Sequence, residues 1–405
     1  MEKQYIISER AHLMCPNMHF GLCAKVNANF EESKVSSTLQ ELQSKHPFLH
    51  SCIAKENKTE KLYYNTEVHK KLEWSLKQEF SCLFEDYVAV TLGGWNVFEE
   101  GLLKVMVYPD KNNFWILFVA HHLLCDGRGL LNLMLEFCDL YVEEKHPAYV
   151  EERLIQSIKD LPSRSELSAV SKMIIRSANK NWSKENHTVS YEDYLEFEKK
   201  FLRCNPIVYE VNTKESQELV GLVEECRQNG VSVNDYLIAK MMLEEETKKV
   251  VIAADIRNQL TCYTDGALGN YATAMGIVSK KKTNDLMQKA VEVKRRVKKR
   301  MSSNHNLMQV LACYFEMIPE LIDAVAISTL GEYESKAGRF VGTSMFGYKE
   351  RKGYCITNLG KVDSSSMLEA MFIPPASPAN RVTEGILTVN GTMKICRASA
   401  HKYKI

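Results

Sequence analysis

The residues best suited to chemistry in this chain are His121, His122, Asp126 and Gly127, in the stretch His121-His122-Leu123-Leu124-Cys125-Asp126-Gly127. An imidazole accepts a proton close to neutral pH, since its unperturbed pKa is about 6.5. A histidine held rigidly at a strand end can deprotonate a hydroxyl or amine bound within hydrogen-bond reach as that group attacks a carbonyl. His122 is the expected general base, with His121 as a neighbour that orients the loop. Asp126 stands where the next helix begins, so its carboxylate can cap that helix or pair with an arginine. Gly127 permits a tight turn beside it. Cys125 is expected to be a small buried side chain and not a nucleophile. Successive side chains of an extended segment point to opposite faces, so joint metal ligation by His121, His122 and Asp126 is awkward and no metal is expected.

These residues must be positioned by the elements around them. Phe114-Trp115-Ile116-Leu117-Phe118-Val119-Ala120 is an apolar run ending at the motif, the pattern of a buried strand. Leu102 to Tyr108 is expected to pair with it across the turn at residues 109–113. From Gly129 to Val142 the chain is apolar on most sides, with Leu130, Leu131, Leu133, Met134, Phe137 and Leu140, which describes a buried helix. Upstream, Phe20 to Phe30 alternates apolar and polar residues, the signature of a half-buried strand, and a helix with Val35, Leu39 and Leu42 on one face follows until Pro47 closes it.

Residues 147–204 are polar and charged and read as a helical crossover. Ile207 to Val211 then opens a second half as a strand. A helix is expected to start at Asn212-Thr213-Lys214-Glu215, in a capping-box pattern, and to end at Gly230. A helix from Val233, a strand from Val250 to Asp255, and a hairpin turning at Asn390-Gly391 follow. Strands and helices mix without a strict βαβ rhythm, which predicts an α+β fold: an N-terminal lobe in residues 1–160 carrying the motif, then a crossover and C-terminal lobe in residues 161–405.

Composition limits the classes of function. The 405 residues carry a net charge of +1, which argues against nucleic acid or an acidic membrane as a partner. No apolar run approaches the length of a membrane span. The twelve cysteines form no Cys-x-x-Cys pair and the first ten residues lack an apolar core, so a reducing, cytoplasmic setting is expected. No Walker loop is present, and no Gly-x-Gly-x-x-Gly follows a strand. A basic stretch, Lys294-Arg295-Arg296-Val297-Lys298-Lys299-Arg300, shares a helix with the inward-spaced Leu286, Ala290, Val293 and Val297. Its outer face is either simply solvated or a landing site for phosphate groups. Aromatic residues do not interleave it, as single-stranded nucleic acid would favour.

The pattern His-His-x-x-x-Asp-Gly resembles the signature of the chloramphenicol acetyltransferase-like superfamily of CoA-dependent acyltransferases. That superfamily includes stand-alone alcohol acetyltransferases and the condensation domains of nonribosomal peptide synthetases. Weaker similarities follow in the family's order: Ser8-Glu9, His46-Pro47-Phe48-Leu49, Ala253-Ala254-Asp255-Ile256-Arg257, Leu268-Gly269-Asn270-Tyr271 and Ile356-Thr357-Asn358-Leu359-Gly360. The plant-type Asp-Phe-Gly-Trp-Gly motif is absent.

The resemblance implies two lobes of one fold with a tunnel between them and His122 as the base. Asp126 would be mainly structural and pair with Arg257, and Thr357 and Asn358 would lie beside the reaction centre, where a polar side chain can bond an oxyanion. It further implies an acyl-CoA or phosphopantetheinyl carrier-protein donor; on the charge pattern of the basic helix, Lys294, Arg295 and Arg296 are the candidates to meet the phosphates of coenzyme A or an acidic carrier protein. The acceptor would be a small-molecule alcohol or amine. The reaction would be acyl transfer from a thioester; the alternatives are amide formation on a carrier-bound acyl chain, or a non-catalytic binding module of the same fold.

Overall fold

The computed structural model describes residues 2–57, 59, 61–185, 188–331 and 333–401. Two open sheets organise the chain. The first runs in the order Met367–Ile373, His19–Val26, Phe114–His121, Leu103–Pro109 and Trp74–Leu76. It is antiparallel except for its last pair. The second runs Ile207–Lys214, Thr392–Ala400, Asn380–Val389, Gly353–Val362, Lys249–Asp255 and Ala272–Val278. It is mixed, because Gly353–Val362 lies parallel to both of its neighbours. The expected α+β class with mixed sheets is the observed one.

The strand leading to the motif, Phe114–His121, is buried at every position and sits at the centre of its sheet. His19–Val26 beside it is also buried on both faces, not half-buried, and it ends before Ala28 and Phe30. A strand paired on both edges and covered on both faces needs no polar side, so alternation in the sequence overstated its exposure. The helix Gly127–Glu143 follows the motif, and Leu130, Leu131, Met134 and Phe137 on it are fully buried. The crossover contains two helices, Ala169–Glu185 and Tyr191–Cys204.

Two local expectations change. Thr213 does not open a helix; it pairs with Lys394 in the strand Ile207–Lys214, and the helix Ser216–Gln228 begins after Glu215 without a side-chain cap. Strand pairing with Thr392–Ala400 holds the backbone extended past the point where the local pattern suggested a cap. A true capping box occurs one helix later, where Ser232 and Asp235 exchange bonds at the start of Val233–Glu244. The second change is in connectivity. The strand Met367–Ile373 leaves the second sheet's region and pairs with His19–Val26 in the first sheet. Its neighbours in sequence, Gly353–Val362 and Asn380–Val389, pair with each other in the second sheet. The C-terminal part of the chain therefore laces the two sheets together. The hairpin at Asn390-Gly391 is present, with both residues at positive φ (48° and 84°), as a two-residue primed turn requires.

Candidate active site

His122 lies immediately after the strand Phe114–His121, and its backbone N–H donates to the carbonyl of Met18 at 2.9 Å. The two motif histidines diverge as an extended backbone dictates. His121 turns into the core against His19 and Trp95, and its Nδ1 accepts the N–H of Leu123 at 3.2 Å. His122 turns the other way and lines a cavity of about 240 Å³ between the two sheets. Among the described residues no group of three His, Cys, Asp or Glu side chains is arranged to hold a metal ion.

The tautomer of His122 follows from its partner. The side-chain amide of Asn270 donates to the carbonyl oxygen of His122 at 2.8 Å, so its Nδ2 must face that oxygen. Its Oδ1 then faces the ring, 2.9 Å from Nδ1. An amide oxygen only accepts, so Nδ1 carries the hydrogen and Nε2 keeps its lone pair. Burial lowers the pKa of His122 and outweighs the opposing effects of Asp126 and Asn270. The ring is thus neutral at pH 7, with one nitrogen fixed as donor and the other available as base.

Asp126 is both the cap and the ion-pair partner. At the N-terminus of Gly127–Glu143 its Oδ1 accepts the N–H of Gly129 at 3.0 Å. The same oxygen accepts from Nη2 of Arg257 at 2.6 Å, and Oδ2 accepts the N–H of Tyr271 at 2.9 Å. Both side chains of the pair are less than one-tenth exposed. Arg257 also meets Oδ1 of Asp255 at 3.2 Å and lies near the rings of Tyr263 and Tyr271. Burial opposes its charge, but Asp126 and Asp255 outweigh that and push its pKa up. The carboxylate of Asp126 therefore ties the motif loop to the turn at residues 269–271. That turn carries Asn270, so the pair acts on His122 by holding its hydrogen-bond partner in place.

Gly127 is required for space and not for a turn, since its φ is not in the left-handed region. A Cβ there would lie 2.9 Å from Cδ2 of Leu359 and 3.1 Å from Cζ of Phe372. The helix start is thereby pressed against both C-terminal strands that flank the cavity. Thr357 and Asn358 also line the cavity. Asn358 is already engaged: its Oδ1 accepts the N–H of Gly360 at 2.9 Å, and its amide lies 3.4 Å from Oδ1 of Asn234.

Lys294, Arg295 and Arg296 lie on the helix Leu286–Met301 and are not among the cavity-lining residues. Lys294 donates to the carbonyl of Gly230, and Arg296 pairs with Glu292 at 3.2 Å. Lys294 does border a separate surface groove with Ser232, Asn234 and Lys298. Asn234 is the contact of Asn358, so this groove adjoins the cavity wall.

Two polar cavity residues that touch the His122 ring were not singled out from sequence as site residues. Asn270 was visible only as part of a Gly-Asn turn, and His12 carried no pattern at all.

No family model and no curated protein matches this chain. Solved structures do. The TRI3 trichothecene 15-O-acetyltransferase from Fusarium sporotrichioides is 9% identical, with a TM-score of 0.65 over 99% of this chain and 91% of that one. The condensation domain of the monacolin K polyketide synthase MokA is 11% identical, with a TM-score of 0.60 over 99% of this chain and 92% of that one. The epimerization domain of tyrocidine synthetase B, TycB3(E), is 13% identical, with a TM-score of 0.56 over 98% of this chain and 89% of that one. Among the described residues no helix is long and apolar enough to cross a membrane. The chain thus has the two-sheet fold that condensation domains share with the chloramphenicol acetyltransferase-like acyltransferases.

Proposed function

We propose that this protein is an acyltransferase that moves an acyl group from a thioester to a hydroxyl or amine, with His122 as general base. The observation that carries the reading is the fixed, neutral His122, whose Nδ1–H is held by Asn270 while the ring faces the cavity between the sheets. Because its relatives in fold include an epimerization domain, the fold alone does not select the reaction.

In the proposed reaction Nε2 takes the proton from the acceptor O–H or N–H as the heteroatom attacks the thioester carbonyl. The carbonyl oxygen becomes an oxyanion. Thr357 and Asn358 line the cavity and are the candidate donors to it; Asn358 now bonds Gly360 and Asn234, and Thr357 bonds Cys355, so either would turn from its present partner to donate. A well-aimed donor contributes about 3–4 kcal/mol to such a step. Collapse breaks the C–S bond, and the imidazolium returns its proton to the leaving thiolate. No covalent acyl-enzyme is needed.

The cavity is lined by His122 and by residues of both sheets and suits the reacting ends of the two substrates. Acyl-CoA as donor would leave its phosphates outside, and the adjoining groove with Lys294 and Lys298 offers them charge. A phosphopantetheinyl carrier protein as donor would present the same arm.

The test is a panel of acyl-CoAs and carrier-bound acyl groups with candidate alcohols and amines, read by mass spectrometry. An ester or amide product from free acyl-CoA supports the reading. Product from carrier-bound donors alone favours the condensation-type alternative. No acyl transfer from any thioester, alongside stable capture of a partner, overturns it in favour of a binding module.

A further inference from the structure

We propose that His12 is a positioning residue for the base, clamping the His122 ring by face-to-face stacking; this rests on the reading of His122 as base. The two imidazoles are nearly parallel, 12° apart, with centroids 4.2 Å from each other. Phe20 meets the same His122 ring edge-on at 4.9 Å. Asn270 fixes one nitrogen of His122 in the plane of the ring. A single in-plane bond leaves the ring free to tilt about it; a stacked neighbour removes that freedom.

His12 is itself held firmly. It ends the short 3-10 helix Glu9–His12, in which Arg10 binds Asp323 through Nε at 2.9 Å and Nη2 at 2.6 Å. Asp323 belongs to the buried helix Pro319–Leu330. Glu9, fully buried, fastens the preceding loop by accepting the N–H of Ile7 at 3.3 Å. The position of His12 is therefore anchored through the residues just before it, by the tertiary Arg10–Asp323 pair and the local Ile7–Glu9 bond.

Two further observations separate His12 from a mere packing residue. It lines the reaction cavity, and its Nδ1 is buried without a hydrogen-bond partner. Nδ1 thus ties His12 to no hydrogen-bond partner, and the contact of His12 with His122 is made by the face of the ring. Burial, reinforced by His122, holds the His12 pKa well below the usual histidine range, so His12 stays neutral. A neutral π-face beside His122 favours the imidazolium that forms when the base takes its proton, as any aromatic face favours a nearby cation. The nitrogen itself is not needed for this, only the flat ring.

The test compares His12→Ala with His12→Phe. Ala removes the stack and is expected to lower kcat roughly tenfold, the scale of a partly desolvated cation–π contact, with KM little changed. Phe restores a flat ring and is expected to recover most of kcat. A second readout does not depend on turnover: NMR relaxation of the His122 ring in protein labelled with ¹³C and ¹⁵N at histidine. His122 should keep its Nδ1–H tautomer in all three proteins, because Asn270 sets it, but its ring order parameters should fall in His12→Ala and stay at the wild-type level in His12→Phe. Wild-type kcat and unchanged His122 ring order parameters in His12→Ala overturn the proposal. So does a His12→Phe protein as impaired as His12→Ala with a raised KM, which would place the His12 nitrogen on the substrate. If no thioester is turned over at all, the NMR comparison still decides the clamp, separately from the acyltransferase reading.

Discussion

Replacing Asp126 separates a structural from a chemical role for the motif aspartate. Its two oxygens accept three N–H donors, from Gly129, Arg257 and Tyr271, in a setting only 5% exposed. Breaking a buried ion pair by removing one partner costs about 3–5 kcal/mol. Arg257 keeps its contact with Asp255, which places the loss toward the lower end. The lost helix cap adds about 1 kcal/mol. Asp126→Ala should therefore destabilise by about 4 kcal/mol. Asp126→Asn keeps one acceptor oxygen but turns an NH₂ toward at least one of the three donors, and should cost about 2 kcal/mol. Thermal unfolding followed by circular dichroism and tryptophan fluorescence measures both. The Asp126→Ala, Arg257→Met double variant should be less destabilised than the two single losses added, because no buried charge is left unpaired; Asp255, which also loses Arg257, is half exposed. Residual acyl transfer by the folded fraction at low temperature is expected. A wild-type melting temperature with acyl transfer abolished would refute the structural role and put Asp126 in the chemistry.

Other expectations follow from the same geometry. Asn270→Asp sets a carboxylate against Nδ1 of His122 and should raise its pKa, moving the acid limb of the kcat/KM profile to higher pH; an unmoved limb would show that Asn270 does not govern the base. Gly127→Ala forces a methyl to within 2.9 Å of Leu359 and 3.1 Å of Phe372, and should cost about 1–3 kcal/mol as measured by denaturation. His46 provides a pH signature. Burial opposes its charge, but the hydrogen bond to Glu136 at 2.6 Å and the Glu152 carboxylate 3.3 Å away overcome this and raise its pKa to about 9. The folded value lies above the unfolded value of about 6.5, so the stabilisation is complete below that pH, declines through the interval and is gone above about 9. The melting temperature should fall across this window, and His46→Gln should flatten the fall.

Much of the site was legible because its central residues are contiguous. An apolar run, the two histidines and the capping aspartate specify strand, turn and helix within thirty residues, and local pattern is what sequence reports well. The partnership of Asp126 with Arg257 spans 131 residues and came from the resemblance, not from periodicity. Asn270 escaped as a base partner because nothing local distinguishes an asparagine in a turn from one that orients an imidazole 148 positions away. His12 escaped for the same reason, in a 3-10 segment too short to show a period. The transfer of Met367–Ile373 to the first sheet was hidden because a strand's sequence records its burial and not its neighbours. The basic helix shows the reverse: its pattern was plain, yet the fold directs it away from the base and toward an adjoining groove.

The most direct measurement of the central claim is acyl-transfer turnover by His122→Ala beside the wild type, using whichever thioester and acceptor the panel identifies, with folding verified by melting temperature. The account predicts a loss of roughly 10²–10⁴ in kcat, the usual contribution of general-base catalysis. A folded His122→Ala protein that turns over at the wild-type rate would contradict it.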